Sequence, residues 1–226
     1  MSVIDPIPVE LDATELTRRL KPPKLTEELV QLLERARPLI EPKAACTMTH
    51  VTKCENELVY VESGHALRGI VIADLLEAGQ EIIPYVVTIG PKLETEIGKE
   101  KNLLRSYLLD MIGTYALHKA MSYVKSCETE VLGDERGAVS DFSPGTGTGA
   151  LFGLEQQKPL FEILHQAVAT IGVHLSSSLM MVPRKSESGI LAATQYEYIA
   201  CAHCPRKQCD SRSTLFVGEY QRTKRI

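Results

Sequence analysis

The apolar positions between residues 103 and 124 predict the strongest helix of the chain. They recur at intervals of three and four residues, which places side chains on one face of a helix. The stripe consists of Leu104, Leu108, Met111 and Tyr115, with Tyr107 and Ile112 beside it. Gly113 lies in its middle and costs up to ~1 kcal/mol relative to alanine, so we expect another element to pack closely there. We predict that this is the core helix.

Two short helices are predicted near the N-terminus. Asp12 is typical of a helix cap, so the first helix should begin near Ala13 and end at the Lys21-Pro22-Pro23 sequence. Thr26 caps the second helix, which stops at Pro38. Its apolar face holds Leu29, Leu32 and Leu33. We interpret residues 1–43 as an N-terminal helical arm.

Short strands and helices alternate irregularly in the middle of the chain. Residues 57–61 and 82–89 fit strands, and Pro84 places the second of these at an edge or a bulge. Residues 71–78 fit a short helix, and Pro91 opens another. This order predicts an α+β fold, with a mixed or antiparallel sheet and packed helices, rather than a doubly wound one.

A glycine-rich turn follows in the sequence SPGTGTGA. Gly145, Gly147 and Gly149 allow positive φ and close approach of a ligand, and their backbone amides are potential donors. Gly145-x-Gly147-x-x-Ala150 loosely fits a dinucleotide fingerprint, but neither a clear preceding strand nor a following helix is predicted. A ligand-facing turn and a purely structural turn both remain open.

Cysteines near the C-terminus carry the sharpest chemical signal. Cys201, Cys204 and Cys209 are spaced so closely that their thiolates can converge on one metal centre from a single loop. Three soft ligands suit an iron–sulfur cluster or zinc, and a redox dithiol or inert thiols are the alternatives. Tyr196 and Tyr198, on a strand leading to the loop, are candidates for shielding a cluster from water.

A four-thiolate site needs one more ligand. The other cysteines are Cys46, Cys54 and Cys127, and any of them could supply it or be a small buried hydrophobe. A small ligand on an open iron or a cysteine from a second subunit would serve equally. We interpret residues 44–195 as an α+β domain and residues 196–226 as a cysteine-bearing tail.

Composition limits the class of partner. The 226 residues are 44% hydrophobic, enough for one substantial core or two small ones. The net charge of −4 gives no electrostatic case for nucleic acid, although Arg222, Lys224 and Arg225 end the chain as a solvated tail. No stretch approaches the ~18 apolar residues of a membrane span, and no export signal precedes residue 13. We expect a cytoplasmic protein.

Several motifs resemble the activation domain of cobalamin-dependent methionine synthase and its stand-alone relatives. They are Ser143-Pro144-Gly145, the helical segment 157–164, Ile171-Gly172-Val173, and Met181, Pro183, Ser186, Ser188 and Gly189, which match M-x-P-x-x-S-x-S-G. Residues 66–94, with a Thr-x-Gly-Pro step, extend the resemblance to residues 66–189. The sequence C-x-x-C-x-x-x-x-C-x-x-R, completed by Arg212, is similar to the tails of stand-alone relatives found with corrinoid methyltransferase systems.

The resemblance implies a reductive activator of a corrinoid protein or cobalamin-dependent methyltransferase. An electron from a low-potential donor would reach cobalt through an iron–sulfur centre, with S-adenosylmethionine as the family's methyl donor. The residues facing the cofactor would be Ser143, Pro144, Gly145, Thr146, Gly147, Met181, Pro183 and Ser186. The alternative is a non-enzymatic module that docks on a corrinoid protein and holds structural zinc.

Two residues depart from the family's R-x-x-P-G-Y motif. Asp141 stands in place of its arginine and Thr146 in place of its tyrosine. A carboxylate repels the carboxylate of S-adenosylmethionine, whereas an arginine pairs with it. The sequence therefore predicts weak binding of that ligand.

Overall fold

A computed structural model describes residues 2–19, 26–133, 138–147, 149–209 and 212–223. The strands are β1 (Ser2–Ile4), β2 (Lys43–Cys46), β3 (Thr49–Glu55), β4 (Leu58–Val61), β5 (Ala66–Arg68), β6 (Glu81–Thr88), β7 (Ala138–Phe142), β8 (His174–Leu175), β9 (Met181–Val182) and β10 (Ser186–Thr194). The α-helices are α1 (Ala13–Arg19), α2 (Glu27–Ala36), α3 (Ile70–Leu75), α4 (Lys92–Lys99), α5 (Leu103–Leu132) and α6 (Gln157–Thr170). None of the helices in these ranges is long and apolar enough to cross a membrane.

The sheet is built around β6. On one side β6 pairs with β2 and β3 in succession, and on the other with β10, which in turn pairs with β7. The strand order β1-β2-β6-β3-β4-β5, together with β10 and β7, makes an eight-stranded sheet. Strands β8 and β9 form a separate pair. Every pairing between described strands is antiparallel. The predicted α+β class with a mixed or antiparallel sheet is confirmed.

Pro84 lies in this central strand, so the expected edge position is wrong. Its carbonyl accepts from the Thr47 amide at 3.1 Å, in the connection between β2 and β3. The N and O of one strand residue point to the same side, and thus the missing N–H of Pro84 faces a gap between two partner strands. A proline is tolerated there because the ladder is already interrupted.

Helices cover both faces of the sheet. Alternate residues of β6 enter different cores, with Ile83 and Tyr85 on one face and Ile82 and Val86 on the other. The first core also takes apolar residues of α2 and α5 and of the N-terminal segment; the second takes those of α3 and α6. The division at residues 43/44 and 195/196 stays a prediction.

Helix α5 is two turns longer than predicted, and its buried face differs from the expected stripe. Leu104 is 57% exposed and Tyr107 48% exposed. The buried face runs through Leu109, Ile112, Ala116 and Ala120, because the sheet contacts the side next to the predicted one. The close packing expected at Gly113 is confirmed, since a Cβ atom added there would lie 3.1 Å from Leu93 Cδ2.

The predicted helix caps at Asp12 and Thr26 are confirmed. Asp12 Oδ1 accepts from the Glu15 amide at 2.7 Å, and Thr26 Oγ1 accepts from the Leu29 amide at 3.1 Å. The Lys21-Pro22-Pro23 stop lies outside the described residues. Helix α3 ends at Leu75, three residues before the predicted end.

Candidate functional site

The glycine-rich turn begins where β7 ends. Gly145, Gly147 and Gly149 have φ of +77°, +65° and +71°, a region that disfavours side chains. The expectation of no preceding strand is wrong, because β7 leads into the turn; the next α-helix starts only at Gln157, so the dinucleotide pattern still fails. Pro144 is buried, whereas Gly145, Thr146 and Gly147 are exposed.

The turn satisfies several of its own amides. Those of Gly145, Thr146 and Gly149 donate to the carbonyls of Phe152, Ser143 and Thr146, at 2.8, 3.3 and 3.1 Å. These three amides are therefore occupied in this structure and do not offer the donors that the sequence suggested. The exposed glycines leave a flat surface that another molecule can approach closely.

Residues of the M-x-P-x-x-S-x-S-G motif form contacts within the fold. Ser186 Oγ lies 2.9 Å from Thr88 Oγ1 and 2.7 Å from the Pro183 carbonyl oxygen, and both Ser186 and Pro183 are buried. Met181 is half-buried in β9. The structure brings Ser143 not to Ser186 but to its neighbour Glu187, so the role of these three residues toward a cofactor stays a prediction.

Two carboxyl groups meet beside the first turn. The Tyr85 hydroxyl donates to Asp141 Oδ1 at 2.7 Å, and Ser143 Oγ lies 3.3 Å from the same oxygen. Ser143 Oγ is also 3.5 Å from Glu187 Oε1. Sequence reasoning missed Tyr85 and Glu187, although a lone glutamate among the small and apolar residues of β10 was a visible signal.

Burial controls the protonation of this group. It raises the pKa of Glu187 to about 7, and the charge of Asp141 adds to the effect while the Ser143 hydroxyl opposes it. Burial also raises the pKa of Asp141 against the hydrogen bond from Tyr85, and raises that of Tyr85 itself. Glu187 is consequently about half protonated near pH 7.

The cysteine loop starts in a 3₁₀ helix, Ala200–His203, that contains Cys201. Cys201, Cys204 and Cys209 are half-buried free thiols. Their donor chemistry suits a soft metal, but within the described ranges no three Cys, His, Asp or Glu side chains converge as a ligand set. Neither the iron–sulfur cluster nor the zinc alternative is shown by this arrangement.

The cysteines outside the loop differ in their surroundings, and the half-buried Cys127 acts electrostatically on Cys46. Cys46 is buried in the first core, and burial raises its pKa to about 12, while Cys54 packs against the second core on the opposite face. Cys201 differs: burial acts to raise its pKa, but hydrogen bonds from the Ser213 hydroxyl and amide, with the charge of Arg212, lower it overall. Cys201 is thus the loop cysteine whose surroundings favour the thiolate.

One tyrosine covers the loop. Tyr198 stacks on Phe142 at 5.4 Å and on His203 at 5.8 Å between ring centroids, and Tyr220 meets Tyr198 edge-on. The expected strand through Tyr196 and Tyr198 is not formed, and Tyr196 is 41% exposed whereas Tyr198 is 6% exposed. Of these two tyrosines, Tyr198 is the one that is buried beside the cysteine loop.

The turn, the cysteine loop and a large cleft adjoin one another. A Cβ atom added at Gly147 would lie 3.7 Å from the Ala200 carbonyl oxygen and 3.9 Å from Cys204 Cβ. A cleft of about 1340 Å³ lies between α5 and the cysteine segment, and Glu187, Cys209 and Arg212 all line it. Glu187 and Cys209 therefore share a space large enough for a sizeable ligand or a partner's surface.

Comparison with known proteins finds similarity at the level of structure. No protein-family model and no curated protein matches the sequence. Among solved structures, the reactivation domain of MetH bound to AdoHcy superposes with a TM-score of 0.63 at 13% identity, covering 84% of this chain and 69% of that one. The predicted resemblance is confirmed at the level of structure: the chain has the fold of the MetH reactivation domain.

Proposed function

We propose that this protein is a reductive activator of a corrinoid protein or cobalamin-dependent methyltransferase. It would dock on its partner and supply the one electron that reduces cobalt(II) to cobalt(I), taken from a low-potential donor. The observation that carries the proposal is the packing of Gly147 against Cys204, on a fold shared with a domain named for reactivation. A partner that lies on the exposed turn is thereby brought next to the cysteines.

In this proposal Cys201, Cys204 and Cys209 bind an iron–sulfur centre, which supplies one-electron transfer when bound. Because the three thiols do not converge in this structure, the loop has to rearrange as metal is taken up. Tyr198 excludes water on the inner side of the loop. Glu187, which lines the cleft, is about half protonated near neutral pH.

Substitution of Cys204 by serine should remove most bound iron and stop cobalt reduction, because a three-cysteine loop has no spare thiolate. The assay uses protein purified without oxygen, iron analysis, and the absorption change of a cobalt(II) corrinoid protein after addition of a one-electron reductant. Ala202→Ser, in the same loop, is the matched control and should behave as the unmodified protein.

Two outcomes would contradict the proposal. Full iron content in Cys204→Ser rules out the ligand assignment. Equal reduction rates in Cys201→Ser and the unmodified protein, both shown to bind the corrinoid protein, mean that the cysteines do not carry the electron. Zinc content with unchanged docking then identifies the structural-zinc module.

S-adenosylmethionine should bind poorly to the unmodified protein. Its carboxylate would meet not only Asp141 but also Glu187, linked to it through Ser143. We expect affinity at least about tenfold, or ~1.4 kcal/mol, below that of a site with an arginine.

Calorimetry on redesigned sites tests this. Asp141→Arg with Thr146→Tyr restores the family's pair, and Glu187→Gln is added because an arginine at position 141 would otherwise pair with Glu187. This triple variant should bind at least about tenfold more tightly than the same variant with Asp141→Asn. Tight binding to the unmodified protein refutes the expectation.

A further inference from the structure

Arg212 occupies the inside of the cysteine loop. Its guanidinium donates to the backbone carbonyl oxygens of Cys201 at 2.9 Å and Cys204 at 3.0 Å, and to those of Thr214 at 3.3 Å and of Arg206. Among the described residues its recorded partners are carbonyls, and no carboxylate forms an ion pair with it. One side chain thus joins both ends of the loop.

We infer that Arg212 is a positioning residue that holds the cysteine loop in a closed backbone conformation before any metal is bound. The carbonyls of Cys201 and Cys204 are fixed directly. Cys209 is fixed through the main chain, because the Arg212 amide donates to the Cys209 carbonyl at 3.4 Å. All three cysteines are therefore tied to one residue, which explains an arginine at this spacing in the motif.

The shape of the side chain is as important as its charge. A guanidinium presents five N–H donors in a rigid plane and can serve carbonyls on several sides at once. A lysine ammonium concentrates its three donors on one atom, so it cannot reach the same carbonyls together. Lysine at position 212 keeps the charge but loses the bridging.

Other contacts keep the segment folded without Arg212. The Val217 amide donates to the Ala202 carbonyl at 2.8 Å, and His203 Nδ1 lies 3.0 Å from the Gly218 carbonyl oxygen. Tyr220 is anchored by its hydroxyl to Asp74 at 2.7 Å. Loss of Arg212 should consequently loosen the loop locally and leave the two hydrophobic cores intact.

The test is made on full-length, metal-free, reduced protein, so it does not depend on the proposed function. Hydrogen exchange of the amides from Cys201 to Arg206 and iodoacetamide labelling of Cys204 are compared in Arg212→Gln, Arg212→Lys and the control Arg206→Gln, whose side chain is exposed in the same loop. Both Arg212 variants should exchange and label at least about tenfold faster, while amides of α5 and the control stay unchanged.

Two results would overturn the inference. Unchanged rates in Arg212→Gln show that the loop holds itself, and full restoration by Arg212→Lys shows that charge alone is sufficient. If Arg212→Gln also speeds hydrogen exchange in α5, the conclusion is drawn from Arg212→Lys, which keeps the charge.

Iron binding then distinguishes failure of this inference from failure of the proposed function. Only the expectation about iron rests on the proposed function. If the unmodified protein binds iron, both Arg212 variants should retain at most about a tenth as much, because the ligands are no longer held together. If the unmodified protein binds none, while the exchange rates change as expected, the proposed function fails and the positioning role stands.

Discussion

Replacing Glu187 with glutamine should make the protein more stable above neutral pH, by up to about 3 kcal/mol. Glu187 is half-buried beside Asp141, and burial raises its pKa from 4.5 to about 7. Ionising it in the folded state therefore costs free energy that the unfolded chain does not incur. Glutamine has nearly the same shape and carries no charge, so it removes that cost.

The sign of the pH dependence follows from proton binding. Between about pH 4.5 and pH 7 the folded protein holds a proton on Glu187 that the unfolded chain has released. The free energy of unfolding consequently falls as pH rises through this window, and the loss is complete above the folded-state pKa. Below pH 4.5 both states are protonated and the substitution should have little effect.

Several charged and polar groups face Glu187 or line the cleft beside it. Asp141 and Ser143 come from β7 and the turn, Tyr85 from β6, and Lys125 of α5 acts on Asp141. His118 and Arg212 line the same cleft. Because the charge of Asp141 adds to the raised pKa of Glu187, its repulsion should persist in any variant that keeps both carboxyl groups ionised.

Urea unfolding between pH 4.5 and pH 8.5 measures the effect. The decline of the free energy of unfolding across the window should be smaller in Glu187→Gln than in the unmodified protein. Glu130→Gln, at an exposed position near the end of α5, is the matched control and should keep the full decline. Parallel curves for all three proteins would show that Glu187 ionises freely.

Local signals in the sequence were sufficient for the helix starts. The caps at Asp12 and Thr26 form as expected, because each needs only residues within one helical turn. The resemblance likewise identified the fold, since its motifs cover the turn, α6 and the start of β10. These features depend on short stretches of chain.

Pairing between distant segments was not predictable in the same way. Strands β2, β3 and β7 have no strong alternation of their own and are fixed by their hydrogen bonds to β6 and β10. The buried face of α5 was displaced for a similar reason, since the sheet it contacts comes from elsewhere in the sequence. The periodicity predicted that this segment is helical, but it did not predict which face of the helix is buried.

The candidate site shows the same limit. Cys201, Cys204 and Cys209 stand out by spacing, but the residues that surround them arrive from far along the chain. Tyr85 reaches Asp141 across β10, and Gly147 reaches Cys204 through the fold. No local pattern encodes such contacts, so the lone glutamate of β10 could be noticed in the sequence, but its link to Tyr85 and Asp141 could be recognised only in the structure.

Gly189 in β10 should tolerate no side chain, and Gly189→Ala should destabilise the protein by about 3 kcal/mol. A Cβ atom there would lie 2.7 Å from the Tyr85 hydroxyl, 2.9 Å from Tyr85 Cε1 and 2.9 Å from the Phe142 carbonyl oxygen. Two of these atoms belong to a fully buried ring and the third to a neighbouring strand, so none can move aside cheaply.

The close contact between Gly189 and Tyr85 positions the tyrosine hydroxyl. Tyr85 has to lie flat against the backbone of β10 for its hydroxyl to reach Asp141 at 2.7 Å. An alanine at position 189 would push the ring away and break this hydrogen bond. Gly189→Ala should therefore also change the pH dependence assigned to Glu187, because the carboxyl pair loses the tyrosine that orders it.

Thermodynamic comparison of three variants tests the steric argument. Tyr85→Phe removes the nearest atom, so the double variant Tyr85→Phe with Gly189→Ala should be at least about 1 kcal/mol more stable than the sum of the single effects implies. Gly98→Ala is the matched control: it lies in α4 with open space around it, and alanine there should stabilise by up to about 1 kcal/mol. If Gly189→Ala unfolds at the same urea concentration as the unmodified protein, Tyr85 does not pack against β10 as described, and the origin of the carboxyl pair's order has to be sought in Ser143 instead.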